Sequence, residues 1–168
     1  GLLVDAEWMY RENRRLGRCL REAKLRISSA CLEDIDYPAR RELDRSVIRQ
    51  LATCRWVQEH QHVVITGMTG TGKTYIACAL AQAACRKGFR AIYRRAPRLF
   101  DELKLARADG SYGQLLSRFA RTDVLVVKDP RPIGGTVMAP VDGSPESYAA
   151  LRKALKLARS AQARVEAV

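Results

Sequence analysis

The chain has 168 residues with 30 basic and 18 acidic side chains, a formal charge of +12. A single domain with a respectable core is expected at this length, and no run approaches the ~18 apolar residues of a membrane span. A soluble, cytoplasmic protein follows as the expectation. Five cysteines, Cys19, Cys31, Cys54, Cys78 and Cys85, form no C-x-x-C pair, and apolar filler in a reducing compartment suits them better than a disulfide or metal framework. The chain begins at Gly1 without an initiator Met, as a fragment would.

From Ala6 to Ile27, Trp8, Leu16, Leu20, Ala23 and Ile27 recur at helical spacing, while Arg11, Arg14, Arg15, Arg18 and Arg21 lie mainly off that stripe. This basic amphipathic helix reads equally as a packing helix with a solvated charged face and as a contact for the DNA backbone. Cys31 to Arg40 reads as irregular, with Tyr37-Pro38 disfavouring helix. A second helix is expected from Leu43 to Glu59, with Leu43, Val47, Leu51 and Cys54 on one face. His60 and His62 read as boundary residues rather than metal ligands.

His62 to Thr66 reads as a short buried strand, and Thr74 to Lys87 as an Ala-rich helix closed by Gly88. Between them Gly67-Met68-Thr69-Gly70-Thr71-Gly72-Lys73-Thr74 fits G-x-x-x-x-G-K-[ST], the loop that wraps backbone N–H groups around nucleotide phosphates. The spacing has a physical reason. Gly67 and Gly72 permit the turn and the close approach of backbone to phosphate, successive N–H groups form an anion nest, and the helix beginning near Lys73 adds its positive dipole end. Lys73 would reach the β- and γ-phosphates of ATP, and the Thr74 hydroxyl would ligate Mg²⁺. The candidate phosphate-binding set is Gly67 through Thr74, with Tyr75 following.

A second strand is expected at Phe89 to Tyr93, helices at Pro97 to Ala108 and Tyr112 to Ala120, and a central strand at Val124 to Val127. Strands alternating with helices imply an α/β fold, a P-loop NTPase-type parallel sheet with helices on both faces, preceded by an N-terminal helical segment. Residues 1–60 carry 12 basic and 10 acidic side chains, whereas 86–131 carry 12 and 5. The surplus after the loop, with Arg94, Arg95 and Arg98 beside Tyr93, suits the phosphates of a nucleic acid, which guanidinium groups bind bidentately. The candidate DNA-contacting set is Arg11, Arg14, Arg15, Arg18, Arg94, Arg95 and Arg98.

Beyond the loop, several segments bear a family likeness: Gly1 to Asp5 with Glu7-Trp8, Arg11 to Leu16, Leu43-Asp44-Arg45, Tyr75-Ile76-Ala77, Leu105 to Ser111 and Arg121 to Val127. Residues 1–127 thereby resemble the IstB-like transposition helper ATPases, relatives of the DnaC-type helicase loaders. The resemblance implies an AAA+-type ATP-dependent partner of a transposase that assembles on duplex DNA, an arrangement compatible with a homo-oligomer. It also implies a short helical portion ahead of Gly1.

Two departures bear on turnover. Where that family places two aspartates after the apolar strand, this chain has Lys128-Asp129. An ammonium in place of the metal-holding carboxylate turns an attraction of about 4 kcal/mol per unit charge pair at ~4 Å and effective dielectric ~20 into a comparable repulsion. Asp129 is left as a weak candidate for activating water. The family's sensor strand and arginine-bearing C-terminal part are also not recognisable. Instead Thr136 to Glu146, with the helix behind it and the strand Arg164 to Val168, resembles the opening β-α-β of universal stress proteins. There Asp142 suits a loop or cap better than a nucleotide contact, with Ser144 as N-cap and Pro145 as first helical residue.

The expected organisation is a basic helical segment (1–60), a truncated P-loop core (61–127), a Pro/Gly-rich linker (128–135) and a stress-protein-like unit (136–168). A chimera joined near Val127 is favoured over a simple completion of the sheet. The functional expectation is an ATP-binding, DNA-associated transposition helper with weak or absent hydrolysis. The alternative is a non-catalytic nucleotide-binding module of stress-protein type, or a fusion fragment without function.

Overall fold

The computed structural model describes residues 2–37, 43–128, 136–140, 149 and 165–167. Pro38, Arg40, residues 129–135 of the expected linker (Asp129 among them), Asp142, Ser144 and Pro145 lie outside them, as does the expected helix apart from Ala149. The elements are α1 (Leu2–Ala23), α2 (Arg45–Ala52), α3 (Arg55–Gln58), β1 (Val63–Ile65), α4 (Lys73–Arg86), β2 (Ala91–Arg95), α5 (Ala96–Ala108), α6 (Tyr112–Ala120), β3 (Val124–Lys128), β4 (Thr136–Pro140) and β5 (Val165–Ala167).

These strands form one sheet in the order β2-β3-β4-β1-β5. Its two faces follow the period of two along each strand. Val63, Ile65, Ala91, Tyr93, Val124, Val126 and Met138 face a core shared with α1, α2 and α4. Val64, Leu125 and Val127 face a second core with Ala96 and Leu99 of α5 and Phe119 of α6. Helices thus cover both faces, as the α/β reading requires.

The parallel pairing expected throughout is found between β2 and β3, whereas β4 runs antiparallel to both β3 and β1, and β5 antiparallel to β1. The connection explains the difference. Only residues 129–135 separate β3 from β4, and a parallel return needs a crossover of about a dozen residues or more. The chain therefore turns back on itself and fills the gap beside β1. Because β4 and β5 both oppose β1, they run in the same direction and straddle the strand that leads into the phosphate loop.

The first helix ends at Ala23, with Lys24 at φ 48°, and not at Ile27. Its second half lies on the core through Leu16, Cys19, Leu20 and Ala23. The expected stripe does not continue to the start of the helix: Trp8 is 65% exposed, and Val4, Met9 and Tyr10 are exposed beside it. The helix expected over 43–59 is two helices. Cys54 at φ 59° breaks it, and Trp56 turns inward to donate its indole N–H to the Leu51 carbonyl at 3.0 Å. Asp44 caps α2, its carboxylate accepting from the Ser46 N–H at 2.7 Å.

Helix α4 ends as Gly88 led one to expect. With φ at +91°, Gly88 lets its own N–H reach the Cys85 carbonyl and the Phe89 N–H reach that of Ala84, both at 3.0 Å, a Schellman termination. All five cysteines are free thiols, and all but Cys31 are buried.

Candidate functional site

Buried Val63, Val64 and Ile65 fix the strand that delivers the loop, and α4 fixes its exit through an unbroken buried run from Ile76 to Ala81. Between these anchors Gly67, Gly70 and Gly72 all have positive φ (144°, 86° and 87°). The last two lie in the left-handed region, where L side chains are disfavoured by roughly 1–2 kcal/mol. The octet spacing therefore has a direct conformational cause. Thr71 closes the loop, its hydroxyl donating to the Met68 carbonyl at 2.8 Å. Met68, Thr69 and Gly70 are exposed at the loop crest.

Lys73 is the first residue of α4 and folds back over the loop, its ammonium donating to the Gly67 and Met68 carbonyls at 2.6 and 2.5 Å. Burial, and the Lys128 ammonium nearby, hold its pKa below the ordinary lysine range. An arriving phosphate would exchange those neutral acceptors for anionic oxygens, which form the stronger bonds. Tyr75 turns elsewhere: its hydroxyl lies 3.4 Å from both the backbone N and O of Cys31, and it packs on the core.

Thr74 and Lys128 are brought together. From the tip of β3, half-buried, Lys128 donates from Nζ to Thr74 Oγ1 at 2.8 Å. Desolvation, then the charges of Arg26 and Arg95, push its pKa down. Arg95 is its Cα partner on β2, so the end of the parallel pair presents two cations side by side. Arg26 carries no periodicity signal for such a place, because it follows the break at Lys24.

A divalent metal does not fit this donor set. Mg²⁺ takes hard oxygen ligands, and here the hydroxyl that would ligate it is engaged by an ammonium. A phosphate chain does fit, because the loop's backbone, the α4 N-terminus, Lys73 and Lys128 all present positive charge or donors to the same mouth.

The arginines singled out for DNA fall into separate groups. Arg94 has only 15% of its side chain exposed and lies 3.7 Å from Glu102, whose carboxylate also pairs with Arg98 at 3.5 Å and Arg118 at 3.6 Å. On α1, Arg11 pairs with Glu7 at 2.5 Å and Arg15 with Glu12 at 3.5 Å, while Arg14 and Arg18 are exposed. Arg15 and Arg18 join Cys19, Glu22, Gly88 and Arg90 in lining a surface cavity of about 410 Å³. Arg90, which no motif marked, is placed there by the short link between α4 and β2.

An α/β sheet with a glycine-rich anion loop between β1 and α4 defines a nucleotide-binding class of protein, and sequence comparison narrows it. Residues 1–132 match the family of IstB-like ATP binding proteins, and the chain belongs to that family. It is 46% identical over 129 residues to an ATP-binding protein assigned to insertion sequence IS1162 of Pseudomonas fluorescens, covering 77% of this chain and 56% of the relative. A similar insertion sequence ATP-binding protein of Sinorhizobium fredii is 42% identical over 129 residues (77% and 52%). One in an insertion sequence of Mycobacterium tuberculosis is 34% identical over 127 residues (76% and 50%). The chain spans about half the length of these curated relatives.

Proposed function

We propose that this chain is a DNA-associated helper of a transposition system that holds ATP in the Gly67–Thr74 loop and hydrolyses it weakly. The observation that carries the ATP reading is the loop itself: its glycines at positive φ and Lys73 curled over its carbonyls between a buried strand and a buried helix. Relatives assigned to insertion sequences support the transposition setting, with duplex DNA and a transposase as partners. Exposed Arg14 and Arg18, with the Arg15–Arg90 cavity, support a phosphate-backbone contact that positions DNA without reading its sequence. No described helix is long and apolar enough to cross a membrane.

Weak turnover follows from what the residues can do. Lys73 and Lys128 neutralise charge already present in bound nucleotide, and charge stabilisation that is equal in ground and transition states tightens binding without accelerating reaction. The family match ends at residue 132. A join close to Val127 to a stress-protein-like unit stays part of this reading, although β4 and β5 beyond it complete the same sheet as β1, β2 and β3.

Titrating a fluorescent ATP analogue tests the binding. Lys73→Ala should weaken it by roughly 1.5–3 kcal/mol through loss of charge-assisted phosphate contacts, and equal affinities would remove Lys73 from the site. Steady-state phosphate release, with and without DNA, tests the turnover. Robust DNA-stimulated release that disappears in Lys73→Ala would refute weak hydrolysis.

A further inference from the structure

We infer that Lys128 stands in for the divalent ion: held by the Thr74 hydroxyl, its ammonium pairs with the terminal phosphates, so that the loop takes a nucleoside triphosphate free of metal. This rests on the ATP-binding reading above and goes beyond it by naming the form of the ligand.

The geometry is specific. Lys128 Nζ sits 2.8 Å from Thr74 Oγ1, so an ion bound to that oxygen at the ~2.1 Å of a Mg–O bond would lie within roughly 5 Å of a like charge. An ammonium carries three donors. One is used by Thr74, leaving the others for phosphate oxygens. The strand register holds the group in place, because Lys128 is paired at Cα with Arg95 on one side and Thr136 on the other.

The surrounding charges point the same way. Lys73 reaches the same loop from α4, and Arg26 and Arg95 lie near enough to act on Lys128. A mouth so cationic favours a polyphosphate whose charge is uncompensated, and disfavours one already neutralised by a metal. The Thr74 hydroxyl then changes role: it accepts from Lys128 and orients it, and ligates nothing.

The test measures ATP affinity of the full chain by calorimetry at constant ionic strength, in Mg²⁺ and in EDTA. The wild type should bind equally in both, within about threefold, or more tightly in EDTA. Lys128→Asp should lose at least ~10-fold in EDTA and recover part of it in Mg²⁺. Lys128→Met, close in length and uncharged, should weaken binding to a similar extent in both conditions, and it decides the matter if the aspartate variant does not fold. Wild-type binding that requires Mg²⁺, or a Lys128→Met affinity equal to wild type, would overturn the inference while leaving ATP binding intact. No wild-type binding in either condition would overturn both.

Discussion

The loop from Gly67 to Thr74 and the tip of β3 meet at one mouth but are built by different means. The loop presents mostly backbone, shaped by three glycines at positive φ and anchored by buried β1 and α4. The tip of β3 presents a side chain, Lys128, whose position depends on its neighbours Arg95 and Thr136. A backbone device tolerates drift in surrounding residues, because its chemistry resides in N–H groups that every residue but proline supplies. A side-chain device changes sign with one substitution. The match to the IstB-like family runs from residue 1 to 132 and so takes in both the loop and Lys128.

The largest effect that could break this comparison lies in the strand that supports both parts. Met138 of β4 is fully buried, between Val63 of the loop strand and Val126 of β3. If the segment after Lys128 is integral to the sheet, Met138→Ala should cost about 2–5 kcal/mol by the usual toll of a large-to-small core change, read as a shift in denaturant midpoint at unchanged slope. A shift below ~1 kcal/mol would mean that β1 and β3 hold together without β4, and that the loop and the Lys128 tip are stabilised independently.

How far the site was legible in the sequence follows the same division. Loop, strand and helix could be read because the octet demands glycine where the backbone turns left-handed, and because Val63–Ile65 and the Ala-rich α4 carry their burial in composition. The direction of β4 was legible in principle from the length of the 129–135 connection, but strand alternation with helices suggested parallel pairing. The break at Cys54 was hidden, since a non-glycine residue at positive φ leaves no mark in helical periodicity. The engagement of Thr74 by Lys128 required knowing that the two meet across 54 positions of chain. Likewise, Arg94 reads as a free cation in sequence, and only the fold shows Glu102 against it.

A smaller effect sharpens the contrast at the loop. No heavy atom lies within 4 Å of a Cβ built on Gly72, so Gly72→Ala should suffer only from its φ of +87°, roughly 1–2 kcal/mol. Melting of the nucleotide-free variant measures that cost, and an unchanged midpoint would mean that the loop adopts another conformation at no expense.

Among the arginines, the exposed pair should outweigh the partnered one. Arg14→Ala with Arg18→Ala should lower the salt slope of DNA binding by up to about 1.8, at ~0.9 per phosphate contact. Arg94→Ala should leave that slope within about 0.3 of wild type, because its guanidinium is largely buried beside Glu102. A slope change confined to Arg94→Ala would relocate the DNA contact to the α5–α6 side.

The smallest effect is a pair of opposite pH responses, and it joins the two parts of the mouth. Lys73 and Lys128 both have pKa values held below the ordinary 10.5 by desolvation, Lys73 also by the charge of Lys128, and Lys128 also by Arg26 and Arg95. For each, the unfolded chain binds the proton more tightly than the folded one. Stability of the nucleotide-free protein should therefore rise with pH between the lowered folded value and about 10.5. Nucleotide affinity should fall over the same window, since a neutral amine no longer pairs with phosphate. Bound triphosphate draws both values back up, so its binding should take up protons, and the calorimetric enthalpy should vary with the ionisation enthalpy of the buffer. Lys128→Met should shrink this uptake and move Lys73 back toward its ordinary value. A proton uptake unaltered by Lys128→Met would mean that the two ammonium groups do not share the bound anion.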